Sequence, residues 1–207
     1  MTLTHRTKNT WHIGSKNSAF NVGDTLTILN RTDGVEIFAA RALGVLDHTW
    51  CIHYKNGKVT DVRTRIPDPH GGRTSSGHPK RLTLGLHTLI MENVPHRPDQ
   101  TEIDHLNGDP SDNRLDNLRW VTRSANQQNK RDAEGNPLHG VRRNPRCRIR
   151  PWKARITVDG KEARSKHFST ARAAEKQYLI WKREYHPETP EVWYEQYAAC
   201  QASGYWD

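Results

Sequence analysis

The sequence predicts a modular α+β protein: a small strand-turn-helix module and, behind it, a three-stranded antiparallel sheet packed on one helix. Three observations predict it. Residues 101–130 pass from a strand-like run through a tight-turn signal to a helical pattern. Residues 152–158 alternate apolar and polar side chains, as a half-buried strand does, and an apolar helical stripe follows. The chain is also very polar, with 33% hydrophobic residues in 207 and a mean hydropathy of −0.94, so each apolar core must be small. That length suits two or three small domains better than one large one.

The N-terminal region, residues 1–81, reads as β-rich. Strand-like runs occur at Thr25–Leu29, Val35–Ala39, Trp50–Tyr54 and Arg81–Leu86, and Asp33-Gly34 and Asn56-Gly57 punctuate them as hairpin turns. Pro67 to Pro79 is rich in Gly, Ser and Pro and reads as a mobile loop, with His70 and His78 solvated in it. The region either extends a binding surface or buttresses the next module.

That module spans residues 82–130. Thr101 to His105 reads as a short strand, and Asn107-Gly108 is a tight-turn signal. Leu115, Leu118, Trp120 and Val121 can form a small core, and Thr122 or Ser124 can cap a helix from Ser124 to Lys130. Adjacent residues of a regular strand point to opposite faces, so Asp104 and His105 serve one site only where the strand ends and the backbone turns.

Residues 131–138 form a polar linker to a second module at 139–186. Gly140-Val141-Arg142-Arg143 opens a strand and Asn144-Pro145 turns it. In the next strand Trp152, Ala154, Ile156 and Val158 take one face, and Lys153, Arg155 and Thr157 the other. Asp159-Gly160 turns the chain into Lys161 to Phe168. Ser169 or Thr170 then caps a helix whose Ala174, Tyr178, Trp181 and Tyr185 form one stripe. The stripe can cover the apolar sheet face, which leaves the other face to Lys and Arg, a shape suited to a DNA groove. The tail, residues 187–207, is acidic and aromatic. It reads as a short helix containing Trp193 and Tyr197 that packs on the module or shields its charge.

The charge pattern points the same way. The net charge is +9, and residues 139–186 alone carry 14 Lys/Arg against 4 Asp/Glu. Such a block is the footprint of a polyanion partner rather than of a solvated helix face. No apolar run reaches membrane-spanning length, and Met1 to Trp11 lacks the apolar core of a signal peptide. The three cysteines, Cys51, Cys147 and Cys200, are far apart and form no CxxC pair, which argues against a disulfide framework or a cysteine zinc site and fits a reducing cytoplasm.

Asp104-His105, with Asn117 and Asn126 downstream, has the residue types that phosphodiester hydrolysis needs. A neutral imidazole can take a proton from water near working pH, which suits His105 as general base. A carboxylate and an amide carbonyl are hard oxygen donors, so Asp104 and Asn126 would favour Mg²⁺ or Mn²⁺ over Zn²⁺. Asn117 could orient the imidazole, and Arg114 and Arg119 lie close enough in sequence to clamp phosphates.

The run Glu102-Ile103-Asp104-His105-Leu106-Asn107-Gly108-Asp109, continuing through Asn113 to Thr122 and on to Ser124-Ala125-Asn126-Gln127, resembles the HNH endonucleases of the phage and intron homing type. Leu86-His87-Thr88-Leu89-Ile90 resembles the segment that usually precedes the motif. The resemblance implies a ββα-metal module in which His105 is the base, Asn117 orients it, and Asp104 and Asn126 hold one Mg²⁺ or Mn²⁺. Asn126 stands in the third position, where many members have His. Residues 139–186 resemble the ethylene-response-factor type of DNA-binding domain through Gly140-Val141, Trp152-Lys153-Ala154-Arg155-Ile156, Asp159-Gly160-Lys161, His167-Phe168, Thr170 and Ala173-Ala174. By position, that resemblance implies DNA contacts from Arg143, Arg148, Arg155, Arg164 and Lys166. Arg146 to Pro151 is longer and more basic than the family's first hairpin. The expected function is thus a metal-dependent, site-preferring DNA endonuclease that nicks or cuts double-stranded DNA as a monomer or homodimer, in a bacterial or phage-infected cytoplasm. The alternatives are a non-catalytic DNA-binding regulator and a non-specific nuclease.

Overall fold

The chain alternates short strands and helices in the order β1 (Thr10–Ile13), β2 (Thr25–Leu29), β3 (Glu36–Ala40), β4 (Cys51–Lys55), β5 (Lys58–Pro67), β6 (Arg81–Gly85), α1 (Leu86–Met91), β7 (Glu102–His105), β8 (Asp112–Asn113), β9 (Leu118–Val121), α2 (Arg123–Gln128), β10 (Val141–Arg143), β11 (Trp152–Val158), β12 (Lys161–Phe168), α3 (Ala171–Tyr185) and α4 (Glu191–Ala202). The structure is a computed structural model that describes residues 50–55, 57–132, 135–137 and 140–204, with the backbone of β1, β2 and β3. The expected turn at Asp33-Gly34 and residue Asn56 lie outside the described residues. The chain divides into two compact units, and the division falls inside the 82–130 segment. Unit 1 comprises Met1–Pro98, Ile103–His105 and Asp109–Trp120; unit 2 comprises Asp99–Glu102, Leu106–Gly108 and Val121–Asp207.

In unit 1, β1, β2, β3 and β8 make a four-stranded sheet in that order, antiparallel except where β8 joins β3 in parallel. A second antiparallel sheet runs β4-β5-β6. Gly57, with φ +77, makes the tight turn between β4 and β5. The ten residues of β5 were not legible as a strand, because a register shift opposite His53/Tyr54 breaks their two-residue period. Pro67 to Pro79 is not an unpaired loop: Asp68 N donates to Lys80 O at 3.1 Å and Thr74 N to His78 O at 2.8 Å, which extends the β5-β6 hairpin, although His70 and His78 are exposed as expected. Gly85 ends β6 and precedes α1, so Leu86 begins a helix rather than closing the strand.

The unit 1 core gathers Trp50, Ile52, Val62, Leu86, Ile90, Met91 and Leu118, with Ile103 and Trp120 packed against it. Of the core expected beneath the motif, Leu118 and Val121 are buried. Leu115 is not: it starts a 3-10 turn, Leu115–Asn117, and is 43% exposed. The strands β7 and β9 form a two-stranded sheet.

In unit 2, Thr122 caps α2 by accepting from Ala125 N at 3.1 Å, and the helix ends at Gln128, two residues before the expected Lys130. The antiparallel sheet β10-β11-β12 carries α3 on its apolar face, and Thr170 caps α3. Ala154 and Ile156 of β11 pack with Val141, Ala174, Tyr178, Trp193 and Tyr197. The last two come from α4, so the tail helix completes this core. Gly140 is glycine because a Cβ there would overlap the Tyr178 ring. The helix stripe differs from expectation in one residue: the fully buried positions are Ala174, Tyr178 and Lys182, with Trp181 and Tyr185 partly buried beside them.

Candidate functional site

Strand β7 ends at His105, so the imidazole stands where the backbone turns toward Gly108, which has φ +73. His105 Nε2 lies 3.2 Å from Asn113 Oδ1. The Asn113 amide nitrogen donates to Pro110 O at 3.0 Å, which fixes the amide with its oxygen toward the imidazole. Nε2–H is then the donor, and the neutral tautomer carries its lone pair on Nδ1. Burial pushes the imidazole pKa below its ordinary value, offset in part by the Asn113 bond and the carboxylates of Asp104, Asp109 and Asp112. The ring of His87, on α1, meets His105 edge-on at 5.7 Å, and its pKa is also lowered, by burial and then by the His105 charge.

Asn113, a residue that sequence reasoning does not single out, lies inside the resembling segment and is 1% exposed. The expected orienting residue, Asn117, is buried and donates its amide to Asp112 O at 2.7 Å. It thereby holds the loop that presents Asn113, so it bears on the imidazole through that loop. No property of the isolated sequence distinguishes these two asparagines; the fold does, by setting Asn113 Oδ1 against His105 and turning the Asn117 amide to Asp112 O.

Asp104 is 6% exposed and is balanced by Arg119, whose Nε and Nη2 both reach Asp104 Oδ2, at 3.0 and 2.9 Å. Arg114 binds Asp112 through two bonds of 2.7 Å, which hold its guanidinium more firmly protonated than an ordinary arginine. Both arginines expected to clamp phosphates are therefore already engaged by carboxylates, and a phosphate would have to compete for them.

In unit 2, Asn126 sits on α2 and donates its amide nitrogen to Glu102 Oε2 at 2.7 Å. The amide oxygen is the atom this bond leaves for a cation. Residues Leu106–Gly108 are gripped from the other end of α2: Asn129 Nδ2 and Arg131 Nη2 both donate to Leu106 O, each at 3.3 Å. Among the described residues there is no cluster of three or more His, Cys, Asp or Glu side chains placed to hold a metal ion. A carboxylate oxygen and an amide oxygen are each hard donors of the kind a divalent cation such as Mg²⁺ takes.

The expected DNA-contacting residues separate when the sheet register is read. Partners across an antiparallel pair share a face. Arg142 pairs with Lys153 and Arg155 with Ser165, so these lie on the face away from α3. Arg143 pairs with Trp152, Arg164 with Ile156 and Lys166 with Ala154, which puts all three on the helix-side face. Arg164 Nε accordingly donates to Tyr185 OH on α3 at 2.8 Å, and Lys166 lies 5.6 Å from the Phe168 ring centre. Arg148 is exposed in the β10-β11 connection. Of the five, Arg155 alone shares the outer face with Arg142 and Lys153. The two-residue alternation of 152–158 already grouped Lys153 with Arg155; the place of Arg142 needed the strand pairing.

Residues 85–128 match the family model described as HNH endonuclease. This segment holds Asp104, His105, Asn113, Asn117, Arg119 and Asn126. A domain similar to these nucleases implies a nucleic acid as substrate. No curated protein and no solved structure matches the chain. No helix among the described residues is long and apolar enough to cross a membrane.

Proposed function

We propose that the protein is a metal-dependent DNA endonuclease of the homing type, built on a ββα-metal module, with residues 139–186 as an ethylene-response-factor-type DNA-binding domain. The observation that carries the reading is the similarity of residues 85–128 to HNH endonucleases over the segment that supplies an imidazole, a carboxylate and an amide oxygen. Asp104 and Asn126 would hold one Mg²⁺ or Mn²⁺, which when bound offsets charge on the phosphate and on the departing oxygen. His105, held through Nε2 by Asn113, takes the proton of the attacking water on Nδ1. The water oxygen bonds to phosphorus as the bond to the leaving oxygen breaks. Arg119, bonded to Asp104 Oδ2, holds the carboxylate in place until the cation loads. The basic sheet supplies affinity and site preference for double-stranded DNA.

The test is supercoiled plasmid incubated with Mg²⁺, with Mn²⁺ and with chelator, beside His105→Ala. Metal-dependent nicking or linearisation that the variant loses, with DNA binding retained, is the expected result. Cutting by His105→Ala at the native rate refutes the base assignment. Tight, salt-sensitive binding with no cutting of any substrate identifies a DNA-binding regulator, and a smear of unrelated DNA identifies a non-specific nuclease.

A further inference from the structure

Unit 2 contains a cleft of about 780 Å³ between α2 and the open end of β11, where β10 no longer covers it. Its walls are basic. Arg123 of α2 and Lys130 just beyond the helix stand on one side, and Arg142, Lys153 and Arg155 on the other. One carboxylate lines it, Asp159, and that group already accepts from Ser124 Oγ at 2.9 Å. Among the described residues Arg123, Lys130 and Arg142 have no acidic partner. Lys153 and Arg155 share only Glu162, at 3.4 and 4.0 Å, and Glu162 is held more closely by Ser165, at 2.6 Å.

Five cations around one concavity repel each other, and nothing in the packing of the unit requires them there. Arg123, Lys130, Arg142 and Arg155 are exposed and belong to no core cluster, while Ile156 and Tyr178 of the core and the buried Lys182 line the cleft between them. Such a wall gains by taking up a polyanion and releasing its counterions. We propose that this cleft holds the sugar-phosphate backbone of duplex DNA, so that the bound strand runs along α2. The inference rests on the nuclease reading above and deepens it: Gln127 lines the cleft, and Asn126, the proposed cation ligand, precedes it on the same helix. Phosphates gripped here would be carried beside the helix that bears Asn126, so backbone grip and cutting would share one element. These phosphate contacts carry no sequence information, and they join Arg142, Lys153 and Arg155 of the outer sheet face to Arg123 and Lys130 beside α2.

The experiment uses the full chain with His105→Ala as background, and short duplexes of several unrelated sequences. Binding is measured over a range of salt for Arg123→Gln/Lys130→Gln/Arg142→Gln and for a matched triple outside the cleft, Lys161→Gln/Arg172→Gln/Lys176→Gln. Circular dichroism checks that both fold. The cleft triple should lower the slope of log K against log salt by roughly 2 to 3, at about 0.9 for each phosphate no longer neutralised, and by the same amount on every sequence. The outside triple should leave the slope in place. An unchanged slope in the cleft triple, an equal loss in the outside triple, or complete competition by millimolar inorganic phosphate overturns the proposal. If the native protein binds and cuts DNA while the cleft triple binds with the salt slope of its His105→Ala parent, only the cleft assignment fails. If it neither binds nor cuts, the nuclease reading fails with it.

Discussion

Replacing Lys182 by methionine should abolish a rise in stability that the native protein gains between about pH 7 and pH 9. Lys182 is a charged residue inside an apolar core, 4% exposed on α3. Its Nζ donates to Gln128 O at 2.6 Å, which caps the last turn of the six-residue α2. The same nitrogen lies 3.1 Å from His186 Nδ1 and 4.5 Å from the centre of the Trp193 ring. His186 Nε2 faces Thr157 O at 2.7 Å, so its Nδ1 is left to accept from Lys182. Burial, followed by the nearby charge of Arg131, pushes the ammonium pKa down to about 7. The unfolded chain titrates this group at roughly 10.4. Between those values the unfolded chain carries the extra proton, so stability rises with pH. The penalty of the buried charge is fully present below the folded value and is relieved above it. Integrated from pH 7 to 9, the gain is about 2 kcal/mol, at roughly 1.4 kcal/mol per pH unit once the folded group is neutral. His53, His87, His105 and His186 all have lowered pKa values and act below this window, and the raised tyrosines act above it. Urea unfolding followed by tryptophan fluorescence at pH 7, 8 and 9 reads the effect. Native stability that stays flat over this range, or a Lys182→Met variant that keeps the native slope, would refute the reasoning.

Three further outcomes follow from close contacts and from titration. Gly140→Ala sets a methyl group into the Tyr178 ring and should cost unit 2 roughly 1–3 kcal/mol, read as a lower urea midpoint with Lys182→Met as an independent comparison. The nicking rate should fall as pH drops through a value below the ordinary 6.5 of histidine and level off above it, because the base acts as neutral imidazole and burial favours that form. In Asn113→Leu the supporting bond that raises this pKa is lost, so the acid limb should move lower still; an upward move would count against Nε2–H donating to Asn113.

Much of unit 2 was legible because its signals are local. The alternation of Trp152 to Val158, the Asp159-Gly160 turn and the Thr170 cap each depend on residues a few positions apart, and the sheet and helix follow them closely. Thr122 and Ser124 both offered a cap for α2, and Thr122 is the one that caps it. The strand β5 was not legible, since a single extra residue shifts its faces and hides the period. Leu115 looked like core and is exposed, because apolarity does not say which side of a 3-10 turn faces the core.

The sequence by itself determined the chemistry on offer: an imidazole, a carboxylate and two amides at one spacing, and a concentrated block of positive charge. Only the tertiary structure decided which partners those groups meet. Asn113, on β8, reaches His105 at the end of β7, and Arg119 neutralises Asp104 across β7 and β9. Strand register divided the basic residues between two faces, grouping Arg142 with Lys153 and turning Arg143, Arg164 and Lys166 toward the helix side. Lys182, which no periodicity marks as core, is buried with the Trp193 ring of α4 set 4.5 Å from its Nζ. Periodicity and caps act between neighbours in the chain, whereas register, burial and desolvation arise only when distant segments are brought together.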